Sequence, residues 1–273
     1  MKVFVVLVLV IASVSAEILS QETAVHPRDS NGTSSSIEGR ITNGNMATAN
    51  QFPYQVGLSF KGSGASWWCG GSIISNTWIL TAAHCTRGAS KVTIYYGSTV
   101  RTSAKLKQKV SSSKFVQHAS YSAATLSNDI SLIQTKSVTF SSSINKIALP
   151  AIASSYSSYA GQTAIVSGWG KTSDTASSVT SNLQYAELNV ITNAVCQQTF
   201  GSSVVTSGVI CVASTNKKST CQGDSGGPLA LNGKLIGVTS FVSAYGCERN
   251  SPAGFTRVTS YLDWIKTKSG VFY

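Results

Sequence analysis

The sequence predicts an all-β protein, a sandwich or barrel of short strands with one helix near its C-terminal end. Three observations lead there. Only 11% of residues are charged while 42% are hydrophobic, and Ser, Thr and Gly supply most of the remaining polarity. Short strands joined by small polar turns need such a composition, whereas a disordered chain does not. Short apolar or alternating runs recur from residue 41 onward, separated by turn-rich stretches. Asn232-Gly233 sits between Leu229-Ala230-Leu231 and Leu235-Ile236, the pair suited to a tight hairpin turn with positive φ at both positions.

In chain order the runs cover 56–60, 78–81, 92–96, 130–133, 164–167, 186–190, 235–239 and 255–258. The Ser-, Ala- and Tyr-rich stretch 151–160 is the expected connector between two lobes, at about 41–150 and 151–273. Only the end reads as helical. Tyr261, Leu262, Trp264 and Ile265 make one apolar stripe, and Lys266 and Lys268 fall in the last turn, where the helix dipole favours cations. A chain of 273 residues is long enough for one large β domain or two smaller lobes with real cores.

The first 40 residues differ in texture. Lys2, the apolar stretch 3–12 and Val14-Ser15-Ala16 read as a cleavable signal peptide over 1–16. The apolar stretch is shorter than the ~20 residues that span a bilayer. Residues 17–40 lack hydrophobic periodicity and end in Ser36-Ile37-Glu38-Gly39-Arg40, so they read as a flexible pro-segment. It carries a glycosylation sequon at Asn31. Export suits the six cysteines, an even number that can all pair in an oxidising compartment. Residues 1–40 hold four of the ten acids and three of the 21 bases, which leaves a net +12 on the rest. The lysines at 105, 107, 109 and 114 are spaced among small residues with no nucleic-acid motif beside them. The charge is therefore assigned to solubility, and neither nucleic acid nor membrane is expected as a partner.

Three stretches carry chemistry. Gly223-Asp224-Ser225-Gly226-Gly227 sets a serine among glycines that let backbone N–H groups converge. A serine becomes a useful nucleophile only when a base takes its proton and donors await the developing oxyanion. Leu80-Thr81-Ala82-Ala83-His84-Cys85 offers the base. His26 falls in the pro-segment, and His118 in a polar run that reads as exposed. Asp129 opens the apolar strand Ile130–Ile133, and a buried acid there needs a partner, which a histidine can be.

Together these stretches resemble the chymotrypsin-like serine protease family, from Ile41-Thr42-Asn43-Gly44 to the C-terminus. The order His84, Asp129, Ser225 is that family's order. The resemblance implies two six-stranded antiparallel β-barrels with a C-terminal α-helix and the site in the cleft between them. It implies His84, Asp129 and Ser225 as the triad and the amides of Gly223 and Ser225 as the oxyanion hole. It selects Cys69–Cys85, Cys196–Cys211 and Cys221–Cys247 as disulfides. Cleavage after Arg40 would free the Ile41 amine to pair with Asp224.

The implied primary pocket has Ser219 at its base, where trypsins carry an aspartate, and Ser240 beside the substrate backbone. Val242 and Ala253 stand where glycines are usual and narrow the slot. Cleavage after apolar or aromatic residues is expected. The stretches 237–243 and 254–265 are most similar to arthropod digestive proteases, including the brachyurin group of serine collagenases. No cofactor is expected, and no calcium, because 97–114 contains no acid. The expected partners are polypeptide substrates, an activating trypsin-like protease and protein inhibitors, with the protease itself monomeric. The alternative is an inactive homologue serving as a binding or cascade-regulating module. Retention of all three triad positions argues against it.

Overall fold

The structure is a computed structural model that describes residues 21–27 and 41–273. The expected signal peptide, the Asn31 sequon and Arg40 lie outside the described residues. Two short strands come first, β1 (Ala24–Val25) and β2 (Asn45–Met46). An N-terminal sheet follows with β3 (Gln55–Gly62), β4 (Ser66–Ser75), β5 (Trp78–Thr81), the single-turn helix α1 (Ala83–Thr86), β6 (Ala89–Tyr96), β7 (Leu106–Ser111), β8 (Phe115–Gln117) and β9 (Ser131–Gln134). The C-terminal sheet comprises β10 (Thr163–Gly168), β11 (Gln184–Ile191), the helix α2 (Asn193–Phe200), β12 (Val209–Val212), β13 (Pro228–Leu231), β14 (Lys234–Ser243) and β15 (Ala253–Arg257). Helix α3 (Leu262–Ser269) ends the chain's regular structure.

The C-terminal sheet closes on itself. Each of β10, β11, β12, β15, β14 and β13 pairs antiparallel with the next, and β13 pairs back to β10. Alternation drives the closure: Gln184, Ala186, Leu188 and Val190 on β11 point inward while their neighbours face out. The N-terminal sheet runs β7-β6-β3-β4-β5-β9-β8 without a closing ladder. Its two end strands are joined through a 3-10 turn at Ser112–Lys114, so the chain itself turns the last corner. Lys107 and Lys109 lie on the outward face of β7, with Val110 turned to the core.

Each sheet encloses its own apolar core. Val56, Leu58, Ile73, Leu80, Ile94 and Leu132 fill the first, and Val166, Leu188, Ile210, Leu229, Ile236 and Phe255 the second. Helix α3 packs Leu262 and Ile265 into the first core although it follows the second in sequence, so it straps the halves together. Asn232 and Gly233 both take positive φ in the β13–β14 hairpin.

Helix α2 was not legible as a helix, since only Cys196 and Phe200 are buried on it. Its ends carry the signal. Thr192 caps the start by accepting from Val195 N–H, and Gly201 supplies a positive φ at the stop. His118, expected to be exposed, is half-buried. Its ring packs on Tyr261 and Trp264 at centroid distances of 5.6 and 5.3 Å, and burial lowers its pKa. The described part of the stretch expected to be flexible is docked: β1 pairs antiparallel with the end of β14.

Candidate active site

His84 stands on the turn that leaves the core. β5 is held between β4 and β9 and delivers Thr81 and Ala82 to α1. The disulfide Cys69–Cys85 ties that turn to β4. The backbone N–H of His84 donates to Asp129 Oδ1 at 2.8 Å, and Nδ1 lies 2.7 Å from Asp129 Oδ2. An ionised carboxylate only accepts, so Nδ1 carries the proton and Nε2 the lone pair. That is the tautomer a general base requires.

Asp129 is fully buried and gripped from both halves of the molecule. The Ser240 hydroxyl of β14 donates to Oδ2 at 2.7 Å, and the Thr256 hydroxyl of β15 donates to the Asp129 carbonyl at 2.6 Å. Next door, the Tyr261 hydroxyl donates to Asn128 Oδ1 at 3.1 Å, with Asn128 at φ 54°. Burial by itself raises the Asp129 pKa. The charge and hydrogen bond of His84, the charge of His26 and the Ser240 hydroxyl outweigh it and hold the carboxyl at about 2. Sequence reasoning singled out Ser240 but not Thr256 or Tyr261, which look like ordinary strand and helix residues until the halves are docked.

Ser225 sits in the loop between β12 and β13, and the loop is fastened on two sides. Gly70 N–H of β4 donates to the Ser225 carbonyl, and Gly226 N–H donates to the Thr239 carbonyl of β14, both at 2.8 Å. Gly226 has φ 74°, and a Cβ there would collide with Thr81 Oγ1. Glycine thus lets the loop touch the backbone that leads directly into His84. The amides of Asp224 and Gly227 bond within the loop. Among the described residues the amides of Gly223 and Ser225 make no such bond. The Ser225 Oγ is buried and has no hydrogen-bond partner.

Ile41 is fully buried in the C-terminal core, and Thr42 Oγ1 donates to the Ser219 carbonyl at 3.2 Å. Nearby, Asp224 Oδ1 accepts from Gly170 N–H at 2.8 Å and Oδ2 from Cys221 N–H at 3.0 Å. Gly168 and Gly170 are shaped to it, since a Cβ on either would run into the carboxylate. Burial, only partly offset by those amides, pushes the Asp224 pKa up to about 7. Ser219, Val242 and Ala253 are all buried, Val242 on β14 and Ala253 at the start of β15. The remaining disulfides are Cys196–Cys211, which ties α2 to β12, and Cys221–Cys247, which ties the Ser225 loop to the segment after β14.

The unforeseen participant is His26. It is 2% exposed, its ring stacks on that of His84 at 4.2 Å, and its Nδ1 lies 3.5 Å from Asp129 Oδ2. His26, His84 and Asp129 bring ligand-type atoms within 4.8 Å of one another. Both Nδ1 atoms, however, face oxygen acceptors and the rings lie face to face, so the three do not converge on one metal point. No described helix is long and apolar enough to cross a membrane.

Comparison with known proteins identifies the family and the fold. The Trypsin family profile matches residues 41–265. Serine protease 1 of Drosophila melanogaster is 49% identical over 87% of this chain and 88% of its own length. A collagenase of Hypoderma lineatum is 41% identical over 86% of this chain and 90% of its own. The solved structure of HL collagenase superposes with a TM-score of 0.78 at 39% identity, covering 85% of this chain and 99% of that one. This fold, a histidine held by a buried carboxylate, and these relatives place the chain in the trypsin family as a chymotrypsin-like serine protease.

Proposed function

We propose that this protein is a secreted endopeptidase that opens peptide bonds through an acyl-enzyme formed on Ser225. His84 Nε2 takes the Ser225 proton as the hydroxyl attacks the scissile carbonyl, and returns it to the leaving amine. Asp129 holds the imidazole in the required tautomer and stabilises the imidazolium; this is the family's mechanism, carried onto these residues. The amides of Gly223 and Ser225 receive the oxyanion. The observation that carries the reading is the chain of bonds from the Ser240 hydroxyl to Asp129 to His84, each at 2.7 Å, together with a buried Ser225 hydroxyl that has no hydrogen-bond partner.

Activation follows cleavage after Arg40. It turns the buried Ile41 amide into an ammonium able to pair with Asp224, a carboxylate whose charged form is disfavoured by burial. Pairing with that ammonium ionises Asp224 and orders the loop that bears Gly223 and Ser225. Preference for apolar and aromatic residues follows from Ser219, a neutral pocket base that leaves a substrate cation without a partner. Val242 and Ala253 narrow the same slot. The collagenase relatives and the cysteine-free N-terminal segment support a role in bulk protein digestion outside the cell.

One experiment tests the chain of steps: trypsin activation of wild type, Arg40→Gln and Ser225→Ala, followed by a peptide-library cleavage profile. The expected result is activity only from activated wild type, with cleavage after Leu, Phe or Tyr. Full activity of trypsin-treated Arg40→Gln overturns the activation step, and dominant Lys or Arg preference overturns the reading of Ser219.

A further inference from the structure

The segment 21–27 is anchored along its length. Glu22 N–H donates to the Thr199 carbonyl, and the Ser251 hydroxyl donates to Glu22 Oε2, both at 2.7 Å. Ala24 then lies opposite Ser243 and Val25 opposite Val242, antiparallel to β14. Ala244 N–H donates to the Thr23 carbonyl at 2.8 Å. Antiparallel strands exchange hydrogen bonds at every second pair. The bonding pairs that follow from Thr23/Ala244 are therefore Val25/Val242 and Pro27/Ser240.

At the last of these pairs the ladder is altered. Proline has no N–H, so Pro27 cannot donate to the Ser240 carbonyl. That carbonyl accepts from His26 Nδ1 instead, at 2.8 Å. The opposite edge of the same ring, Nε2, lies 3.0 Å from the Tyr121 hydroxyl, and its face covers His84. The result is a strand added to a sheet edge, the mode by which extended peptides are recognised, with its main-chain anchor removed next to the catalytic relay.

We propose that residues 21–27 are the protease's own cleft ligand: an extended peptide that occupies the substrate edge of β14 and is not cut. The inference rests on the reading of His84, Asp129 and Ser225 as the catalytic centre. His26 takes the place of a side chain that packs on His84, with Tyr121 as its polar partner. A peptide paired in this register would offer an amide opposite the Ser240 carbonyl, and Pro27 has none to offer. All six cysteines lie between 69 and 247, so the segment has no disulfide to the protease domain. Once the chain is cut after Arg40, no covalent link holds it and it leaves on dilution.

The test uses trypsin-activated enzyme freed of small peptides by gel filtration, and a capped synthetic peptide of residues 17–29. The expected result is competitive inhibition of a chromogenic peptide amide, with KM raised and kcat unchanged. The His26→Ala peptide should bind at least about tenfold more weakly. Mass spectrometry should find the native peptide intact and the Pro27→Ala peptide cleaved. No rise in KM at about 1 mM native peptide, or its cleavage after Pro27, overturns the proposal. Calorimetry on activated Ser225→Ala separates the two readings. Peptide binding there, with wild type inactive on every substrate, defeats the catalytic assignment but keeps the ligand. No binding there, with wild type active, defeats the ligand alone.

Discussion

Asp129 and Asp224 are both sealed from solvent, yet the protein drives their carboxyls in opposite directions. Around Asp129 stand two imidazoles, a hydroxyl and a backbone amide, and its pKa falls to about 2. Around Asp224 stand two backbone amides, and its pKa rises to about 7. Burial is the same in both places, so the partners decide the sign. Asp129 has its hydrogen-bond partners in place. Asp224 is a carboxylate in want of a cation, and the uncut chain has not yet made the amine proposed to supply it.

The comparison can be broken in three ways. The largest effect should come from Asp129→Asn, which removes the acceptor that fixes the His84 tautomer. After activation, kcat should fall by about 10⁴-fold with KM little changed, the loss already known for the equivalent change in this family. Steady-state kinetics on an apolar peptide amide would check it, and near-normal kcat would separate Asp129 from the mechanism.

The next effect is on stability and depends on pH. Asp224 has a folded pKa above its unfolded value, so the folded uncut chain holds an extra proton between about pH 4 and pH 7. Its stability should therefore fall as pH rises through that window, by about 4 kcal/mol at most. Asp129 has a depressed pKa, so its contribution is present above about pH 4 and is lost only as the pH drops toward 2. The two windows do not overlap. Urea denaturation of the uncut chain between pH 4.5 and 8 should show the Asp224 slope, and Asp224→Asn should flatten it. An unchanged slope in that variant would assign the effect elsewhere.

The smallest effects concern the hydroxyls that reach across from the second half. Ser240→Ala should raise the Asp129 pKa and destabilise the fold by about 2 kcal/mol, as loss of a hydrogen bond to a charged group does. Thr256→Val removes a neutral bond to the Asp129 carbonyl and should cost about 1 kcal/mol. Thermal unfolding at pH 7 would rank them, and the reverse order would mean that the carboxylate is held chiefly through its backbone.

Much of the site was legible because its chemistry demands local strings. A nucleophilic serine needs glycines beside it, and Gly226 at φ 74° against Thr81 shows why. The hairpin at Asn232-Gly233 was legible for the same kind of reason, a conformation that few residues adopt. What escaped notice depends on distant neighbours. His118 has polar residues beside it in sequence, but its ring lies on Tyr261 and Trp264. Residues 21–27 lack hydrophobic periodicity because they dock through main-chain bonds to β14, which any side-chain pattern permits.

From the sequence alone came the class of strands, the order of the three expected reactive side chains and the glycines around Ser225. Each is a property of a residue and its immediate neighbours. Only the packed molecule decided that Ser240 and Thr256 would grip Asp129 from the opposite half, that the pKa values of two buried aspartates would be pushed in opposite directions, and that His26 would lie on His84. Those outcomes are set by groups brought together from distant parts of the chain, 111 residues apart for Ser240 and Asp129 and 127 for Thr256 and Asp129, and a linear pattern does not record such distances.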